Sequence, residues 1–106
     1  MASYELTSAA DSDLEDIIRY TLGKWGGDQA RKYVRYLDRH FEDIGSGEAL
    51  VKPVIEGRDD LLASRCQKHV IFHQAREGDC PLILAVFHER MNLMMRLRDR
   101  LGEAGL

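Results

Sequence analysis

Cysteine is scarce. Cys66 and Cys80 are the two in 106 residues, and their spacing fits neither a disulfide framework nor a thiolate zinc site. Both are expected to be reduced and partly buried. No apolar run approaches the roughly 18 residues of a membrane helix. The opening MASYELTSAADSDLED has no basic start followed by an apolar stretch, so no secretory signal is expected. An excess of basic residues is also missing, with 15 basic against 18 acidic side chains and a net charge of −3. That balance gives no support to direct sequence-specific nucleic-acid binding. There is no repeat, no low-complexity tract, no Ser–His–acid arrangement, no Walker loop, no GxGxxG and no metalloprotease motif. A cytoplasmic protein with no membrane association, no cofactor and no metal is the expectation.

What is present is ordinary for a globular chain: 44% apolar and 31% charged residues, too apolar for disorder. The length points to one domain over residues 1–106. Such a chain buries roughly 65% of the surface it exposes when unfolded, enough for a core without staples. Charge is uneven along it. Residues 1–20 carry Glu5, Asp11, Asp13, Glu15 and Asp16 against Arg19, while residues 88–100 carry four arginines against Glu89 and Asp99. Arginine outnumbers lysine by 11 to 4, a bias that suits bidentate recognition of carboxylate or phosphate and that genomic base composition also produces.

The hydrophobic pattern predicts an α+β fold. Residues 3–7 alternate as a short strand. Ser8, three residues before Asp11, is placed to cap a helix with an acidic first turn. Leu14, Ile17, Ile18, Thr21, Leu22 and Trp25 then form one helical face, ending at Gly26-Gly27. By that pattern Ile17 and Ile18 belong to the core, and Trp25 packs the helical pair rather than anchoring an interface. Asp28 is placed to cap a second helix with Ala30, Tyr33, Val34, Leu37, Phe41 and Ile44 inward, stopped by Gly45. The two make an antiparallel helical hairpin whose apolar faces need a third surface. Residues 46–60 read as a loop. Strands follow at Leu61–Gln67, His69–Ala75 and Leu82–His88, with a turn over residues 77–81, making a small, mostly antiparallel sheet. A short helix from about Asn92 closes the chain, with Leu93, Met94, Leu97 and Leu101 on one side and arginines opposite.

Three stretches in this order resemble the RelE/ParE superfamily of toxin–antitoxin toxins. They are LEDIIRYTLGKWGGDQARKYVRYL within Tyr4–Ile44; Arg65 followed by HVIFHQ at 69–74; and VFHERMN at 86–92. The last is similar to the ParE branch, whose final strand runs into a His-x-Arg-Met-Asp/Asn segment, here His88 to Asn92. The resemblance implies a bacterial, cytoplasmic toxin held inactive in a hetero-oligomer with a ParD-like antitoxin that wraps the helical hairpin and a sheet edge. ParE members poison DNA gyrase; RelE members cut mRNA on the ribosome. RelE-type cleavage needs a base, phosphate-binding cations and an acid, supplied in that branch by strand lysines and arginines and a C-terminal tyrosine. All four tyrosines here (Tyr4, Tyr20, Tyr33 and Tyr36) lie in the first third. His69 stands where RelE carries an arginine, and Arg90 where it carries a second. The RelE set is largely missing, so a non-enzymatic gyrase inhibitor is expected. The alternatives are a ribosome-dependent endonuclease using His69, His73 and Arg90, or an inactive antitoxin-binding relative.

Candidate residues follow. Target binding falls on His88, Arg90, Met91, Arg96 and Arg98; Arg96, Arg98 and Arg100 equally fit a solvated helix face. Arg31, Arg35 and Arg39 form a ridge that suits an acidic antitoxin or plain solvent. His69 and His73 share a strand face, and pairing through the 77–81 turn brings His88 near His69. With no carboxylate or thiol to complete a ligand set, they are expected as partly exposed residues on the open face of a half-covered sheet.

Overall fold

In the computed structural model, which describes residues 3–105, the chain forms β1 (Glu5–Leu6), α1 (Ser8–Trp25), α2 (Gly27–Ser46), β2 (Lys52–Ile55), β3 (Arg58–Cys66), β4 (His69–Gln74), β5 (Leu82–His88) and α3 (Leu93–Ala104). The sheet runs β1-β5-β4-β3-β2, with β1 parallel to β5 and the other neighbours antiparallel. This is the expected α+β order with one additional strand.

The helix ends follow from free backbone groups. Thr7, not Ser8, caps α1, its hydroxyl accepting the Ala10 N–H at 3.0 Å. Gly26 rather than Asp28 precedes α2, and at φ 92° it makes the tight corner between the helices. Gly45 does not stop α2. The helix runs on to Ser46 and closes at Gly47 in the left-handed region. Gly45 is small for another reason: Ser3 crosses directly over it. At the other end of the chain, Asn92 caps α3 through a bond from the Met95 N–H.

Residues 46–60 are not simply a loop. Lys52–Ile55 pairs with β3, and β3 begins at Arg58, earlier than the expected Leu61. Gly57, at φ 81°, lies in the tight link between these strands. Pro53 is tolerated because β2 is an edge strand with no further neighbour to receive an N–H.

Both sheet faces are covered. On one, Ala10, Leu37, Phe41 and Ile44 of the helical hairpin meet Cys66, Ile71, Ile83 and Val86, with Tyr4 tilted on Phe41 at 5.4 Å. On the other, Leu97 and Leu101 of α3 pack on Leu61, Phe72, Leu84 and Phe87. A bulge sets this division. Phe72 pairs with Ala85 but His73 with Ile83, so Leu84 is an extra residue. Ile83 and Val86, three apart, thereby share the hairpin face.

The histidines are corrected by the same geometry. His69 and His73 lie on the covered face beneath the helical hairpin and are buried, at 9% and 4% exposure. The stripe on α1 is corrected too. Ala10 and Thr21 are buried and Leu14 and Ile17 pack on the core, but Ile18, Leu22 and Trp25 are exposed, Trp25 by 63%.

Candidate functional site

The far half of α1 and the end of β5 do not close on each other. Between them lies a groove of about 1000 Å³. Its α1 wall carries Ile17, Tyr20, Lys24 and Trp25, and its α2 wall carries Lys32, Tyr33 and Tyr36. Val86, His88 and Arg90 line the opposite side, with Arg96 of α3 near them. Lys24 is held over Tyr20 and Trp25, its nitrogen 5.5 and 5.4 Å from the ring centres, and it donates to the Tyr20 hydroxyl at 3.0 Å. Cation and aromatics thus present one amphipathic surface.

The floor is a polar chain. The Tyr33 hydroxyl accepts the Lys68 N–H at 3.3 Å and bonds His69 Nδ1. The phenol thus ties the Lys68 backbone to the imidazole ring, with donor and acceptor between Tyr33 and Nδ1 set by the tautomer of His69. His69 meets His88 edge to face at 5.4 Å, as their strand pairing dictates. Burial, then His88, pushes the His69 pKa down to about 4, so the ring is neutral at neutral pH. Burial also raises the Tyr33 phenol. His88 Nδ1 accepts the Arg90 N–H at 3.1 Å, fixing the turn after β5. Glu89 is ion-paired with Arg65, which lowers its pKa.

His73 belongs elsewhere. It is sealed under α2 near His40, whose Nε2 bonds Ser64 Oγ at 2.8 Å. Burial lowers the pKa of both histidines, and His73 Nδ1 has no hydrogen-bond partner. His69 and Arg90 share the groove, but His73 does not, so the three residues of an endonuclease set are not assembled in one place.

The target candidates divide similarly. His88, Arg90, Met91 and Arg96 all line the groove, whereas Arg98 is exposed on α3 away from it. Arg100, weighed with them in the sequence, is bonded to Asp13 and only 15% exposed. The ridge of Arg31, Arg35 and Arg39 is exposed, with Arg31 paired to Asp28. It points roughly 100° around α2 from the groove wall, by the helical step per residue. Tyr20, Lys24, Lys32, Tyr36 and Lys68 are groove residues that sequence reasoning passed over. Their signal was Tyr20 and Tyr36 standing off the inward stripes, each within four residues of a lysine.

Six cations against three carboxylates line the groove, although the whole chain is acidic. Asp13, Asp16 and Glu89 are each paired with an arginine. The groove therefore fits an acidic, amphipathic partner better than a small neutral molecule.

The sequence matches the family described as ParE toxin of type II toxin-antitoxin system, parDE, over residues 4–93. It is 42% identical to Toxin ParE of Escherichia coli over 101 residues, covering 95% of this chain and 98% of that protein. It is 32% identical to Toxin ParE1 of Caulobacter vibrioides over 97 residues, covering 92% and 99%. A structure of the chromosomal ParDE TA system from P. aeruginosa contains a chain that superposes with a TM-score of 0.68. That match has 16% identity over 83% of this chain and 96% of the other, a likeness of fold.

Proposed function

Because this chain belongs to the ParE toxin family of type II toxin–antitoxin systems, we propose that it inhibits DNA gyrase by binding and is neutralised by a ParD-like antitoxin in the cytoplasm. The observation that carries the binding mode is the state of the histidines. His69 has one ring nitrogen occupied by Tyr33 and is held neutral, and His73 is enclosed beneath α2. One nitrogen of His69 is thus committed to Tyr33 and His73 lies outside the groove, whereas phosphodiester chemistry needs a base and an acid at the scissile group. What reaches solvent is a binding surface: the Arg90–Met91 turn at the mouth of the groove, with Arg96 beside it.

The antitoxin is assigned to the same groove. An amphipathic segment lays its apolar side on Ile17, Tyr20 and Trp25 and its carboxylates on Lys24, Lys32 and Lys68. Seated there it covers His88, Arg90 and Met91, so neutralisation is occlusion of the target-binding turn.

The test uses purified toxin free of antitoxin, incubated with gyrase, ATP and relaxed plasmid, beside ribosomes programmed with a short mRNA. Loss of supercoiling with cleaved plasmid trapped and mRNA intact is expected, and Arg90→Ala with Met91→Ala should weaken it by roughly tenfold or more. Cut mRNA with normal supercoiling would overturn the reading.

A further inference from the structure

Beyond the two residues of β1, the outer edge of β5 has no strand beside it among the described residues. Side chains complete it instead. The Leu84 carbonyl, at the bulge, accepts from Arg100 Nη1 at 2.9 Å and from the Thr7 hydroxyl at 3.5 Å. Two residues on, the Val86 N–H donates to Asp13 Oδ2 at 3.0 Å. Asp13 and Arg100 also meet fork to fork, at 2.8 and 2.9 Å, with exposures of 16% and 15%. The guanidinium carbon stands 5.0 Å from the Phe87 ring centre. One ion pair thus joins α1, the bulged edge of β5 and α3.

A helix the length of α3 does not hold itself in water. Its apolar attachment, chiefly Leu97 and Leu101, is non-directional, so it resists removal of the helix better than sliding or rotation. The planar fork of Arg100 supplies the missing direction, which a lysine would not. Arg90 and Met91 lie in the four-residue link between β5 and α3, and their placement follows from where those two elements are held.

We propose that Asp13 and Arg100 are positioning residues that lock α3, and with it the Arg90–Met91 turn, in the orientation used against the target. The lock is intramolecular, although both side chains also stand at the edge of the groove. Its consequence for inhibition rests on the gyrase reading above.

The test compares full-length wild type with Arg100→Met, Arg100→Lys and Asp13→Asn by amide hydrogen exchange and by gyrase inhibition. For Arg100→Met, exchange over residues 89–104 should accelerate by roughly tenfold or more while β4 and α2 keep their protection. The half-inhibitory concentration should rise by about the same factor. Arg100→Lys should recover part of both, in step. Asp13→Asn retains an acceptor for the Val86 N–H and serves if Arg100→Met does not fold. Unchanged exchange at 89–104 would overturn the proposal. So would acceleration throughout the chain, which marks a general stabiliser, or a loosened α3 with undiminished inhibition. If wild type leaves gyrase untouched, the target reading fails by itself, and the lock is then decided by the exchange data.

Discussion

Burial and His88 hold the folded pKa of His69 at about 4, against an ordinary value of 6.5. Between those values the unfolded chain binds a proton that the folded chain refuses. The stability that neutral His69 contributes is therefore complete above pH 6.5 and falls as the pH drops towards 4. His40 and His73 shift in the same direction through burial and add to the slope. Thermal melts from pH 7.5 to 4.5 should lose roughly 1–3 kcal/mol on account of His69, and His69→Gln should flatten that part of the curve. A melt as pH-dependent in the variant as in wild type would show that the proton is taken up elsewhere. The spacing of His69 and His73 correctly put them on one face. It did not tell which face, because alternation has two and only the docking of Tyr33 and His40 from α2 chooses.

The helices make two glycine positions opposite in sign. Gly23 lies on the exposed side of α1, and an added methyl would meet nothing within 4 Å. Gly45 lies under the crossing N-terminal segment, where the same methyl would sit 2.7 Å from Ser3 Cβ and 2.8 Å from its carbonyl carbon. Gly23→Ala should stabilise by about 0.5–1 kcal/mol through helix propensity. Gly45→Ala gains the same propensity but displaces Ser3 and strains the β1 and Tyr4 contacts beyond it, so a net loss of about 1–2 kcal/mol is expected. Urea unfolding of both variants checks the pair; equal shifts would mean that Ser3 yields freely. Element type was legible from periodicity, as α1, α2, β4 and β5 demonstrate. Strand β2 was not, since the turn-forming residues around Pro53 and Gly57 read as loop until an edge position makes Pro53 harmless. The exposed end of the α1 stripe was hidden as well. Ile18, Leu22 and Trp25 have the period of a buried face, and periodicity carries no information on how far the covering sheet extends.

At the scale of the molecule, charge is partitioned between an acidic total and a basic groove. Association with an acidic antitoxin should then be steered by the groove, and its on-rate should fall as salt is raised. Lys32→Glu with Lys68→Glu should slow association by roughly tenfold at low salt. Arg35→Glu with Arg39→Glu, on the ridge, should change it by about twofold or less. Stopped-flow association at several salt concentrations distinguishes them, and slowing by the ridge variant alone would move the docking surface to Arg31, Arg35 and Arg39. The sequence by itself determined the α+β order, the helical hairpin and the family, because each is written in local periodicity or in the collinear segments ending in His88–Asn92. Only the tertiary structure decided which apolar residues stay in water, that the histidines are buried, and that Leu84 bulges. It alone joined Asp13 to Arg100 across 87 residues. Those features depend on register and on how far one element overlaps another, quantities set by long-range packing that no local pattern encodes.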